Sequence, residues 1–240
     1  MNQILRLAVL GLILGCLSRE PASVPSPAPI LPDDVHWVRN SAEHRAAFIQ
    51  TYRLATRRLE ELAREREPGT WAVVLDFDET VLDNSEYEKE LNERGESFAQ
   101  ESWKEWILRQ EAPPLPGVVS FLERVHGLGG RIAIVTSRRQ ELCAATEAEL
   151  RAHGIPFDIM LCGSESREKE PHWEQIRRGE AAPELPPLEI LVWLGDKIDD
   201  FPQLDQSLRH APEEAFEEFG ESYFILPNPM YGSWVGNPRE

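Results

Sequence analysis

The sequence predicts an α/β fold: a Rossmann-like parallel sheet sandwiched by helices. A small helical cap is inserted after the first strand, and a further helix precedes it. Three observations carry this. Short runs rich in Val, Ile and Leu recur along the chain, as strands buried on both faces require. Helical periodicities fall between them. Polar residues suited to chemistry follow directly after the apolar runs.

The elements follow in order. Residues 1–15 read as a signal peptide: a short start with one positive charge, then an apolar run from Leu7 to Gly15 that is too short to span a bilayer. The run ends in Ile13-Leu14-Gly15-Cys16, which resembles the bacterial lipobox and makes Cys16 the candidate lipidated residue. An ordinary signal peptide with a chance cysteine is the other reading. Residues 16–35 hold prolines at 21, 25, 27, 29 and 32, the composition of an extended tether. The folded domain is expected over 36–240.

Asn40-Ser41-Ala42-Glu43 reads as a helix start, with Asn40 as its cap. Phe48, Tyr52, Ala55, Leu59 and Leu62 then form one apolar stripe of a helix, which Pro68-Gly69 ends. Strands are expected at Trp71–Leu75, Ile132–Val135, Phe157–Leu161, Ile190–Leu194 and Tyr223–Leu226. Helices are marked by Val118, Phe121, Leu122 and Val125, and by Leu142, Ala145, Leu150 and Ala152. Residues 84–116 break the alternation and read as the cap, overhanging the carboxyl ends of the strands where such sheets bind ligands.

Composition narrows the function. The chain has 240 residues, 41% hydrophobic and 28% charged, which is globular rather than disordered. Acidic residues outnumber basic ones 42 to 25, for a net charge of −17. Such a surface repels nucleic acid but allows a small phosphate in a locally positive pocket. Three cysteines exclude a disulfide-built miniature or a zinc ribbon. Cys143 and Cys162 are open to either reading, a pair or two buried thiols.

The decisive segment is Val73-Val74-Leu75-Asp76-Phe77-Asp78-Glu79-Thr80-Val81-Leu82-Asp83-Asn84. Two carboxylates at the end of a buried strand need a compensating partner, and a divalent cation held by oxygen ligands supplies one. Thr136 follows the second strand, Lys169 lies in a polar loop after the third, and Gly195-Asp196-Lys197-Ile198-Asp199-Asp200 follows the fourth. These groups converge on one edge of the sheet.

Asp-x-Asp-x-Thr, the strand-end Thr, the isolated Lys and Gly-Asp-x-x-x-Asp resemble the four motifs of the haloacid dehalogenase superfamily. More narrowly, the chain resembles the class C acid phosphatases, the lipoprotein e(P4) type of 5′-nucleotidase. Val135-Thr136-Ser137-Arg138 and Pro227-Asn228-Pro229-Met230-Tyr231-Gly232-Ser233-Trp234 extend the likeness. The resemblance implies Asp76 as the nucleophile, forming an aspartyl-phosphate, and Asp78 as the acid and then the base. It implies Mg2+ as cofactor, held by Asp76, the Asp78 carbonyl and Asp196. Thr136 and Lys169 would bind the phosphoryl oxygens, with Asp200 supporting the metal waters or Lys169. Ser137 and Arg138 read as structural or supporting. Lys197 departs from the family, which usually has a neutral polar residue there.

Trp103, Tyr231 and Tyr87 lie in segments that, in the resembled family, wall the leaving-group pocket. Aromatic faces there would stack a nucleobase. The bland reading has Trp103 and Trp106 pack the insert against the first helix. The implied function is Mg2+-dependent hydrolysis of phosphomonoesters, 5′-nucleotides foremost, by a lipid-anchored protein of the bacterial cell envelope. Outer-membrane sorting is preferred because Leu17, not Asp, follows Cys16. The expected partners are the small ester and the membrane through the anchor alone, with a homodimer left open. Alternatives are a phosphatase for sugar or other small esters, and a non-catalytic surface-binding lipoprotein.

Overall fold

The computed structural model describes residues 30–163 and 169–239. The expected signal peptide, Cys16 and nearly all of the tether lie outside them. Five parallel strands form one sheet in the order β3-β2-β1-β4-β5: β1 (Trp71–Leu75), β2 (Arg131–Arg139), β3 (Ile159–Gly163), β4 (Glu189–Gly195) and β5 (Tyr223–Ile225). The α/β fold expected from the sequence is therefore present. β3 starts two residues later than expected, and Phe157 instead faces the Arg151 guanidinium of the preceding helix.

The alternation within β1 shows why the sheet is covered on both sides. Trp71, Val73 and Leu75 enter one core, with Phe48, Tyr52 and Leu59 of α2 (Ala42–Leu62) and Phe121 and Leu122 of α5 (Val118–Gly127). Ala72 and Val74 face the other, with Trp173 and Ile176 of α7 (Glu170–Arg178). A strand buried on both faces loses its polar face, hence the continuous apolar run.

Three local expectations change. α1 (Asp33–Asn40) takes in residues 33–35, which the sequence reading gave to the tether. Pro32 precedes it, Asp33 and Asp34 sit in its first turn, and Val35 and Val38 are buried. Asn40 ends α1, so the cap of α2 is Ser41 instead. The Ser41 hydroxyl accepts from the His44 amide at 3.0 Å. α7 is a helix that the sequence pattern does not predict, since Trp173 and Ile176 are its only buried residues.

α3 (Ser85–Arg94) and α4 (Gln100–Arg109) occupy the stretch between β1 and α5. On α3, burial and the nearby Asp34 push Glu88 up to about 7, from 4.5. A folded value above the unfolded one favours the fold below about pH 4.5. That contribution is lost as pH rises through 7. Urea titrations across this window should show Glu88→Gln flattening the decline by about 2 kcal/mol.

Of the two readings open for the cysteines, the structure has the pair. Cys143 opens α6 (Cys143–Ala152) and bonds Cys162 in β3, with Cα atoms 5.8 Å apart and a sequence separation of 19. A loop of this length constrains the unfolded chain by about 3 kcal/mol. Cys143→Ser with Cys162→Ser should therefore lower the unfolding free energy by about 2–4 kcal/mol in denaturant titration.

Candidate active site

The chain runs from β1 outward to β2 and β3, then returns to place β4 on the other side of β1. The order thus reverses between β1 and β4, and their carboxyl ends open the crevice where doubly wound sheets bind ligands. Asp76 follows β1 and Asp196 follows β4. The Asp76 amide still bonds the Leu194 carbonyl at 2.9 Å, so the ladder holds both aspartates to the edge of the site.

Asp76, Asp196 and Asp200 are buried, and one oxygen from each lies within 4.8 Å of the others. Lys169, at the start of α7, bonds Asp76 directly and Asp200 at 2.7 Å. The Asp200 second oxygen accepts from the Lys197 amide at 2.9 Å. Both Asp200 oxygens are therefore engaged in holding Lys169 and the turn after β4. Gly195 makes room for this, because a Cβ there would overlap the Asp200 carboxylate. Asp199 is exposed and accepts from Ser233 instead.

Two buried carboxylate oxygens have no partner among the described residues: Asp76 Oδ2 and Asp196 Oδ1. The other Asp196 oxygen accepts from Asn228 at 2.8 Å, which fixes its orientation. Leaving two anionic oxygens bare in a protein interior is costly. Burial pushes Asp76 up, with Asp200 adding and Lys169 opposing. Burial pushes Asp196 well up despite the nearby Lys197. This donor set, hard and oxygen-only, fits a divalent cation such as Mg2+.

Asp78 lies between the sheet edge and the cap. Its Oδ1 accepts from Arg138 Nη2 at 2.7 Å, Arg138 Nε at 3.1 Å and Asn84 Nδ2 at 3.0 Å. Its Oδ2 has a single longer contact, 3.2 Å from Arg138 Nε. The other end of Arg138 bonds Glu149 at 3.1 Å, and its guanidinium covers the Phe77 ring at 4.2 Å. A break in the β2–β3 register between Thr136 and Arg139 frees Arg138 to turn toward Asp78. Thr136 is buried where β2 reaches the site, and its hydroxyl oxygen accepts the Arg138 amide at 3.1 Å.

The turn after Asp78 is tied to the cap. Glu79 takes a left-handed backbone, φ 53°, and its carboxylate accepts the Asn84 amide at 2.7 Å. Trp106 of α4 donates to the Asn84 side-chain Oδ1 at 2.8 Å. Tyr52 of α2 donates to the Thr80 carbonyl at 2.6 Å.

The aromatic residues divide. Tyr87 is 1% exposed, packed on Trp103 and Trp106, and hydrogen-bonded to Ser102. It is the interior of the cap, which corrects its placement as a pocket wall. Trp103 is partly buried and lies 5.6 Å from the Arg138 guanidinium, on the Asp78 side of the site. Tyr231 belongs to the loop of Asn228, whose side-chain Oδ1 accepts its amide at 3.4 Å. Trp106 is buried in the main core and bonded to Asn84.

Lys197 stands beside Asp196. Burial pulls its ammonium down, but Asp200, Asp76, Asp196 and Asp78 outweigh this and hold it well up. Sequence reasoning missed Glu149, which braces the far side of Arg138. The available signal was Thr146 and Glu149, polar residues three apart on the buried side of a helix.

A parallel sheet with acidic groups and a lysine at its carboxyl edge, beneath a helical cap, defines a haloacid dehalogenase-type α/β protein. Within that class, the chain belongs to the HAD superfamily, subfamily IIIB (acid phosphatase), whose family model matches residues 31–234. It is similar to the class C acid phosphatase from Bacillus anthracis, with 30% identity and a TM-score of 0.76, covering 85% of this chain and 86% of that one. A structure of that phosphatase with tungstate bound matches equally well. Among curated proteins it is similar to a stem 31 kDa glycoprotein of Glycine max, 30% identical over 82 residues. A stem 28 kDa glycoprotein of the same plant is 32% identical over 81 residues. Each alignment covers 34% of this chain and 32% of the relative, so the chain spans about a third of the length of these curated relatives.

Proposed function

We propose that the protein is a Mg2+-dependent phosphomonoesterase acting on 5′-nucleotides through an aspartyl-phosphate. The observation that carries this is the pair of bare carboxylate oxygens, Asp76 Oδ2 and Asp196 Oδ1, beside the buried ammonium of Lys169. Asp76, Asp196 and the Asp78 backbone carbonyl would hold the cation, since the Asp78 side chain is engaged by Arg138 and Asn84. When bound, the cation screens the phosphoryl oxygens from the surrounding carboxylates.

Thr136 and Lys169 bind the non-bridging oxygens and stabilise the charge that builds on them. The Asp76 carboxylate attacks phosphorus, and the bond to the leaving oxygen breaks. Asp78 gives its proton to that oxygen, through Oδ2, the oxygen with the fewest contacts. Asp78 then takes a proton from water as the water oxygen attacks phosphorus. The bond from Asp76 to phosphorus breaks, releasing phosphate. Trp103 and Tyr231 offer stacking faces for a base, without Tyr87.

A lipid anchor at Cys16 would place the domain outside the inner membrane, with the outer membrane preferred. The disulfide supports an oxidising compartment. The test is phosphate release from nucleoside monophosphates, sugar phosphates and an aryl phosphate, each with Mg2+ and with chelator. Metal-dependent release, fastest on 5′-nucleotides, is expected. Equal rates across the panel would remove the base-stacking claim, and no release from any ester would remove the enzyme.

A further inference from the structure

The outer face of α2 is basic on an otherwise acidic molecule. Arg45, Ile49, Arg53 and Arg57 follow one another at intervals of four, and Ala46, Gln50 and Leu54 form a parallel row beside them. Residues four apart share a helix face. That face lies opposite the buried row of Phe48, Tyr52, Ala55 and Leu59. All three arginines are exposed, as is Arg64 just beyond the helix, and Leu54 is 44% exposed.

Pairing sets these arginines apart. Most basic side chains here meet a carboxylate: Arg39 meets Glu86, Arg66 meets Glu189, and Arg124 meets Glu60. Arg45, Arg53, Arg57 and Arg64 form no ion pair among the described residues. The neighbouring carboxylates do not neutralise the face, since Glu60 is held by Arg124 and Glu61 by Arg58. Glu43 and Glu65 stand only at its two ends.

We propose that this face docks the domain on an anionic phospholipid surface, with the arginines against headgroups and Leu54 against the acyl boundary. Charge complementarity selects this occupant. A net charge of −17 does not forbid the contact, because salt confines the interaction to groups within a Debye length, about 10 Å at 0.1 M. The face nearest the lipid decides the sign. Interleaved basic and apolar residues on one helix face are the chemistry of interfacial binding.

The test titrates the full chain against two kinds of vesicle at about 0.1 M salt. One is phosphatidylcholine alone, and the other is one-quarter phosphatidylglycerol. Binding to neutral vesicles reads any insertion of the N-terminal segment. The added affinity for anionic vesicles reads the α2 face, so the two fail separately. Wild type should bind the anionic vesicles about tenfold more tightly or better. Arg53→Glu with Arg57→Glu should abolish that difference, as should raising the salt. Both positions are exposed and outside the site, so melting temperature and solution hydrolysis should be unchanged. Equal binding of wild type to both vesicles would overturn the proposal. So would an anionic preference that survives in the variant, or a wild-type dimer that the variant dissociates.

Discussion

Asp76→Asn should lower phosphate release by about ten-thousand-fold or more while leaving the fold intact. The carboxamide has nearly the same shape but is not a nucleophile. The fold survives because burial and Asp200 already disfavour a charge at position 76. Lys169 also keeps its bond to Asp200 at 2.7 Å. Initial rates, with acid quenching on a radiolabelled ester to trap the acyl-phosphate, give the readout. A variant that keeps more than about one-hundredth of the wild-type rate, or still traps label, would place the nucleophile elsewhere.

Arg138→Met should cost about 3–5 kcal/mol of stability, the largest such loss expected from one change in the site. The side chains of Arg138 and Glu149 are each 1% exposed, and that of Asp78 is 14% exposed. Removing the cation leaves two carboxylates in the interior without their partner. Burial already pushes Glu149 up even with Arg138 opposing it. Glu149→Gln in the same chain should therefore restore part of the loss. The turnover number should fall more than the Michaelis constant rises, since Arg138 orients Asp78 rather than the substrate. Arg138→Lys is not a neutral control, because a single ammonium cannot span Asp78 and Glu149. A loss under about 1 kcal/mol in the urea midpoint series would contradict this account.

The sheet was legible because strands covered on both faces must be apolar throughout, as Trp71–Leu75 is. α2 was legible because it carries a row of five apolar residues at helical spacing. α7 was not, because a nine-residue helix burying two side chains leaves too little periodicity. Asp76, Thr136, Lys169 and Asp196 could be gathered from sequence because each lies in or after the carboxyl half of its own strand. The contacts between them could not. Nothing in Ser137-Arg138 announces the break in register that swings Arg138 onto Asp78. Nor can spacing say which aromatic closes a core: Tyr87 and Trp103 differ in burial through the packing of α3 on α4. The cysteine pair stayed open because proximity between α6 and β3 is a property of the folded chain.

The central place of β1 has a kinetic consequence. Ala72 pairs with Arg131, but Trp71 on the same strand pairs with Glu189. During synthesis β1 emerges first and waits for its second neighbour until most of the chain is made. Until then one edge of the most apolar strand is open, an invitation to pair with another molecule. Such distant pairings also make folding slow. Asp76 meets Asp196 and Asp200 only when β4 docks, so mutual repulsion among these carboxylates is deferred to the last stage of assembly. Chains interrupted before residue 189 should therefore aggregate rather than accumulate as a soluble intermediate.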